Sequence, residues 1–364
     1  MMKHACLVAP MLGLAVALAA ASPSQAGVSV TDPIPTIVAG DPNYTSDPDS
    51  PPNRVDTNIS TSAFAGVGSL QISYGSTTYI CSGTLISPWH VLTAGHAVDV
   101  AGDDGVVDVL PGNVTFHLNA NGNYSSNITA SKITINPNFT GFANPSVNDD
   151  LAIITLSEAA PAGVPIYKLY TLPVTAGTTL TLVGYGRSGD GRGGFYVVPT
   201  FDVKRTGQNA ADLFAINDED ELDPNNINLF TDEDNPTGTV NEAFVFDFDA
   251  PDGYKNNQNK TVPNLWDGGT SLGNTLETTV GGGDSGGPSF VYVGGEYLIA
   301  GINTFSFTEI ATKNKQFDAP LFGSGGGGML VPAYATWINS VMPEPATLTL
   351  VALGGLFILR RRRA

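Results

Sequence analysis

Cysteine is nearly absent: the 364-residue chain carries Cys6 and Cys81 only. Cys6 falls in a leader read below as removable, so one thiol remains and no internal disulfide can staple the chain. Stability has to come from packing. Basic residues are scarce as well, 16 Lys and Arg against 34 Asp and Glu, for a net charge of −18. Five of those bases, Lys3 and Arg360 to Arg363, stand at the two ends, so the stretch between them is more acidic still. A surface of that sign repels phosphate backbones, which argues against a nucleic-acid partner. Histidine is limited to four residues. Long apolar runs occur only near the ends. Glycine, by contrast, is abundant at 42 residues, and a 42% hydrophobic content supports a real core rather than wholesale disorder.

The ends read as processing signals. Residues 1–26 have Lys3, an apolar run and small residues closing on Ser24-Gln25-Ala26, the pattern of a secretory signal peptide. Residues 27–54 are rich in Pro, Asp and Ser without a helical or strand period, and read as a linker or propeptide. At the other end, 343–364, Pro343-Glu344-Pro345 precedes an apolar stretch from Ala346 to Leu359 and then Arg360 to Arg363. That stretch is short of the about 20 residues a spanning helix needs, and the arginines would hold it on the cytoplasmic side. The three-part tail resembles the PEP-CTERM sorting signal of Gram-negative bacteria. The resemblance implies transient inner-membrane anchoring, recognition by an exosortase, loss of the tail, and release or attachment at the cell surface.

Between the ends, short runs rich in β-branched and aromatic residues alternate with Gly, Pro, Asn and Ser. "SLQISYG", "TYICSGTLIS", "HVLTA", "NVTFHLN", "SKITINP", "LAIITL", "TLTLVGYG", "AFVFDFD", "SFVYVGG" and "YLIAGINTFSF" are of this kind. Many short strands with turn residues between them point to a mostly β sandwich or barrel. One late helix is expected over "VPAYATWINSVM", where Val331, Tyr334, Ile338 and Val341 fall near one face. Residues of about 205–275 are polar and acidic ("NDEDELDPNNINLFTDEDN") and read as a solvated insertion. Clustered carboxylates and amide oxygens there suit Ca²⁺, although no stretch fits the helix–loop–helix calcium pattern.

The stretch "GGGDSGGP", Gly281 to Pro288, surrounds one serine with glycines. Glycine adds entropy cost and no packing, so such a cluster means a tight turn or a close approach of backbone. A serine hydroxyl is a weak nucleophile and needs an adjacent base. Of the four histidines, His4 leaves with the leader, and His90 and His117 sit inside strand-like runs. His96, after "VLTAG", stands at a strand-to-turn junction. A base needs a carboxylate to fix its tautomer and stabilise the imidazolium, and Asp150 opens the apolar strand "DLAIITL", with Asp149 as its rival neighbour. The N–H groups of Gly283 and Ser285 can be aimed at the oxyanion of a tetrahedral intermediate.

"TAGHAV", "NDDLAIITL" and "GGGDSGGP", in that order, resemble the trypsin/chymotrypsin-like serine proteases, as do "CSGTLIS", "GYG", "AGINTFSF" and the "AYATWI" helix. The resemblance covers roughly residues 55 to 341. It implies a domain over 55–342 made of two antiparallel six-stranded β-barrels with a short C-terminal helix. It also implies a secreted endopeptidase acting on peptides or proteins through an acyl-enzyme. His96 would be general base and acid, Asp150 its orienter and Ser285 the nucleophile, with no metal or organic cofactor required. A catalytically silent surface or matrix-binding protein on the same fold is the alternative.

Three departures and extensions follow from that resemblance. Ala97 replaces the family's cysteine after the histidine, so the bridge to Cys81 is missing and Cys81 is expected to be a small buried residue. In the family a freed N-terminus pairs with the aspartate before the serine, here Asp284; Val55 after Arg54 or Ile37 would supply it, Val55 having the better spacing. The pocket residues would be Thr279, six before the nucleophile, with Thr304, Phe305 and Ser306. Thr279 carries no charge, so Lys or Arg in that pocket would be buried unpaired, which disfavours them.

Overall fold

A computed structural model describes residues 54–57, 59–118, 124–141, 149–215, 241–251, 253–255, 259, 262, 271–273, 276–307 and 321–342. The expected leader, the linker before Arg54, the sorting tail beyond Met342 and the acidic run within 216–240 lie outside the described residues. The chain is mostly β, as expected, with one α-helix among the described residues. No helix among them is long and apolar enough to cross a membrane.

After a short strand β1 (Val55–Asp56), six strands close into a barrel. They are β2 (Val67–Tyr74), β3 (Thr77–Ser87), β4 (His90–Thr93), β5 (Val114–Leu118), β6 (Ser126–Ile135) and β7 (Ala152–Leu156), in the order β2-β3-β4-β7-β6-β5. Alternation explains the inside: Val114, Phe116 and Leu118 of β5 point inward and are buried, while Thr115 and His117 between them are half-buried. They meet Leu70, Ile72, Leu85, Val91, Ile128 and Ile154. Each such fully buried aliphatic or aromatic side chain is worth about 1.5–3 kcal/mol relative to exposure.

The second unit holds β8 (Thr179–Gly184), β11 (Lys204–Ala210), β12 (Leu213–Ala215), β13 (Ala243–Asp247), β14 (Pro288–Val293), β15 (Glu296–Phe307) and β16 (Gly325–Leu330). Beside it, β9 (Ser188–Asp190) and β10 (Gly194–Val197) form a two-stranded ribbon. The sheet order is β1-β11-β8-β14-β15-β16-β13-β12. Because β11 and β12 are one stretch of chain interrupted at Ala211 and Asp212, the sheet curls until its two ends meet on that stretch. The seam is hydrogen-bonded: Asp212 N donates to Val245 O at 2.9 Å, Asp247 N donates to Asp212 Oδ2 at 3.0 Å, and Asn209 Nδ2 donates to Asp247 O at 2.7 Å. Counting β11 with β12, this is a ring of six strands with β1 added outside.

Two sequence expectations change. The polar insertion does not run over the whole of 205–275, because β11, β12 and β13 fall within that range as barrel strands and 241–251 are largely buried. And β16, "GGGGML", carries none of the β-branched signal that marks the other strands. Its glycines are needed by its neighbours: a Cβ on Gly328 would fall on Ile302 O, and one on Gly327 would lie 2.5 Å from the Phe305 ring.

Helix α1 (Val331–Val341) starts with Pro332 in its first turn and buries Val331, Tyr334 and Ile338. Those side chains join an apolar seam that runs across both barrels, with Val67, Leu92 and Ile153 from the first and Val183, Tyr185, Phe290 and Ile302 from the second. Tyr185 from the second barrel also donates its OH to Val67 O of the first at 3.2 Å. The two units therefore meet as a packed interface.

Candidate active site

His96 follows the end of β4 in a tight turn, where Val98 N and Asp99 N both donate to Gly95 O at 2.9 and 3.2 Å. Gly95 is tightly enclosed: a Cβ would stand 3.0 Å from the Phe139 ring and 3.1 Å from Asp150 Oδ1, so these neighbours would have to give by a few tenths of an ångström. Asp150 precedes β7 and is fully buried. Its neighbour Asp149 adopts a positive φ of 49° and turns the chain there. Of the two adjacent aspartates, Asp150 is the one that meets the histidine. Its Oδ1 accepts from His96 N at 2.7 Å, and its Oδ2 is 2.6 Å from His96 Nδ1. A carboxylate can only accept, so Nδ1 carries the proton and Nε2 is the basic nitrogen.

The imidazole is 14% exposed. Burial alone pushes its pKa down, but the charge and hydrogen bond of Asp150 outweigh that, with Asp103 and Asp99 adding to it, and the net direction is up. Cys81 lies in β3 beneath this region and is buried. Burial, helped by the Asp150 charge, raises its thiol to about 12, so it stays protonated and inert. His90 and His117 have structural partners, Ser87 Oγ at 2.7 Å and Asn127 Oδ1 at 2.6 Å respectively.

The glycine loop before β14 is pinned from three sides. Ser82 N donates to Ser285 O at 2.8 Å and Ser82 Oγ donates to Gly283 O at 2.9 Å. Arg187 N donates to Gly282 O at 2.8 Å, and Gly286 N to Asn303 O at 2.7 Å. Gly286, at φ +82°, lies so close to the end of β4 that a Cβ there would fall on Thr93 Oγ1 and Ser82 O and 2.9 Å from Ala94 N. The loop is thus pressed against the residues that lead into His96. Ser285 itself is half-buried between buried Asp284 and Gly286. Among the described residues, neither the Gly283 N–H nor the Ser285 N–H is used in a hydrogen bond. Gly283 is at φ +105°, a conformation that only glycine takes without strain.

Asp284 is fully buried and accepts from Gly186 N at 2.7 Å and Gly281 N at 2.8 Å. Burial lifts its pKa to about 8 against the pull of those hydrogen bonds and of Arg205. Val55, one of the two residues expected to supply a freed amine, pairs in β1 with Arg205 of β11 in the uncut chain, and Ile37, the other, lies outside the described residues. Of the pocket residues, Thr279 and Thr304 are buried and their hydroxyls have no partner among the described residues, while Phe305 and Ser306 are half-buried.

A separate carboxylate group, Asp247, Asp249 and Glu277, brings oxygens within 4.8 Å of one another. Glu277 is already bonded by Asp249 N at 2.6 Å, Leu272 N at 2.8 Å and Ser271 Oγ at 2.8 Å. Burial first, then the charge of Asp249, raises Glu277 to about 8. Proximity of acids alone does not make this a cation site. Ser82 and Arg205 are the parts of the site that sequence reading missed. Ser82 stood in the flanking "CSGTLIS" but carried no signal of its role.

Residues 58–210 match the Trypsin family model. That range contains His96 and Asp150 and ends before Ser285. The chain is 31% identical over 114 residues to a brachyurin of Leptuca pugilator, covering 31% of this chain and 47% of the relative. It is 32% identical over 124 residues to putative trypsin-6 of Homo sapiens, covering 32% of this chain and 44% of the relative. The chain thus spans under half the length of these relatives. The matches support a trypsin-like serine peptidase at the level of the family.

Proposed function

We propose that the chain is a secreted serine endopeptidase with His96, Asp150 and Ser285 as its catalytic triad. The observation that carries this is the double clamp of Asp150 on His96, at 2.7 and 2.6 Å, beside a glycine loop whose Gly283 and Ser285 N–H groups are uncommitted among the described residues. In that reading Ser285 Oγ attacks the scissile carbonyl carbon while His96 Nε2 takes its proton. The two N–H groups hold the resulting oxyanion. The C–N bond then breaks as His96 returns the proton to the leaving amine, and water resolves the acyl-enzyme by the same steps in reverse roles. Asp150 holds the ring in place by accepting from His96 N and Nδ1. No metal or organic cofactor takes part in these steps.

The uncharged Thr279, with Thr304, Phe305 and Ser306, supports a preference for an uncharged side chain over Lys or Arg. The leader and the Pro-Glu-Pro tail support export, exosortase recognition and release or display at the cell surface. Labelling with a serine-directed phosphonate tests the central claim. Stoichiometric labelling of the wild type that vanishes in Ser285→Ala is expected. A processed, folded chain that takes no label would instead be a silent binding scaffold. Intact mass and terminal sequencing of the secreted form test the processing, with loss of residues 1–26 and of the tail expected.

A further inference from the structure

We infer that Arg205 is a built-in counter-cation for Asp284, so that the Ser285 loop is positioned in the uncut chain without a freed N-terminus; this rests on the peptidase reading above. The argument starts from strand register. In the β8–β11 pair Arg205 stands opposite Gly184, and directly opposed residues in an antiparallel pair send side chains to the same face. The face of Gly184 is known from what fills it: a Cβ there would fall on Asp284 Oδ1 and 2.9 Å from Asp284 Cγ. Arg205 therefore leaves the sheet on the side where the Asp284 carboxylate sits. Both residues are fully buried. A buried charge without an opposite one is strongly disfavoured, and removing one member of such a pair costs more than the pair contributes. Burial pushes Arg205 down and Asp284 up, and each acts on the other against that push.

The residues around the expected cleavage point are engaged elsewhere. Val55 and Asp56 pair with Arg205 and Lys204, and Asp56 Oδ2 accepts from the buried Lys204 Nζ at 2.8 Å. Arg54 is buried and donates from Nη1 to Leu276 O at 3.1 Å and from Nη2 to Glu277 O at 3.3 Å. The Arg54–Val55 bond is thus part of the folded structure. Its arginine braces the segment that runs into the Ser285 loop. Arg205 takes the place that an ammonium group would otherwise fill, and by holding Asp284 it holds the Gly281 and Gly186 amides that shape the loop. It is a positioning residue, acting through Asp284.

The test compares phosphonate inactivation rates of the full chain with those of Arg205→Met, Arg205→Lys, Asp284→Asn and the double Arg205→Met/Asp284→Asn variant. The expected results are a slowing on the order of 10- to 100-fold in Arg205→Met, consistent with disturbing one oxyanion donor, and recovery of most of the rate in Arg205→Lys. The double variant should be no slower than Asp284→Asn alone, and labelled wild type should retain residues ahead of Val55. An Arg205→Met rate equal to wild type, or label found only on chains beginning at Val55, overturns the inference while leaving the peptidase reading intact. Should Arg205→Met not accumulate as folded protein, recovery of folding in the double variant supports the pairing and its failure overturns it. In a chain that takes no label at all the peptidase reading fails, and a double-variant cycle on the urea midpoint still decides: coupling between the two positions supports the pairing and additivity overturns it.

Discussion

At the scale of the residue, the behaviour of His96 follows from one neighbour. Asp150 holds both the backbone N–H and Nδ1, and its charge outweighs the burial that by itself would lower the imidazole pKa. Only the neutral ring accepts the Ser285 proton, so inactivation by a phosphonate should rise with pH through a midpoint above the ordinary value of about 6.5. Asp150→Asn removes the charge and lets burial dominate. The midpoint should then fall below 6.5 and the plateau rate drop by about 10⁴-fold, as for other triads that lose their carboxylate. A midpoint that does not move would mean that Asp150 does not govern the ring. Cys81 gives the opposite case. With its thiol raised to about 12 and the residue buried, it should resist alkylation in the native chain at about pH 8 and react once urea unfolds it, read by mass.

The choice of Asp150 over Asp149 was legible in the sequence through the resemblance, since the family's Asp-apolar-Ala-apolar pattern starts at Asp150. The roles of Ser82 and Arg205 were not. Each acts on a residue distant in sequence, Ser82 on Gly283 and Arg205 on Asp284 through Gly184's vacant Cβ position, and a single sequence carries no mark of such pairings. Buried Arg205 and Lys204 stand side by side in "VKRTGQ", at the edge of the stretch read from the sequence as a solvated insertion.

At the scale of the element, strands with a branched or aromatic residue at alternate positions announced themselves, and β16 did not. Its side chains had been traded for space. Gly327 and Gly328 lie against Phe305 and the Ile302 carbonyl, and Gly301 of β15 leaves room in the same way for the Phe244 ring, 2.5 Å from where a Cβ would be. The bulk that defines a strand locally is here supplied by the facing strands. Gly328→Ala should therefore destabilise the fold by about 1–3 kcal/mol, the usual range for overpacking a close-packed interior, measured by urea unfolding. Gly112→Ala, in a turn where a Cβ meets nothing within 4 Å, serves as the neutral control. An equal effect at both positions would remove the packing argument. The polar range of about 205–275 failed as a single element for a related reason: acidic and Asn-rich sequence dominates its composition, yet β11 and β13 inside it are short enough to be masked by that average.

At the scale of the whole molecule, several acids are buried in a chain that already carries −18. Burial holds Glu277 at about 8 and Asp249 at about 6. A raised carboxyl pKa means that the folded chain keeps a proton which the unfolded chain gives up, so stability falls as pH climbs from the unfolded value to the folded one. His96, raised by Asp150, has the same sign, since its contribution is complete below its unfolded pKa and is lost as pH passes the folded one. General repulsion among surface acids grows over the same interval. These effects reinforce one another, and no disulfide among the described residues offsets them. The melting temperature should therefore be highest near about pH 5 and decline toward about pH 9. Glu277→Gln should flatten the decline, because it removes the charge that appears as pH rises, although its amide keeps one acceptor oxygen where Glu277 offers two to Asp249 N, Leu272 N and Ser271 Oγ. Calorimetry of both chains across that range checks it. A wild-type melting temperature that is flat or rising between those limits would show that the buried carboxyls ionise without cost, and with that the electrostatic account of the Asp249–Glu277 cluster would fall.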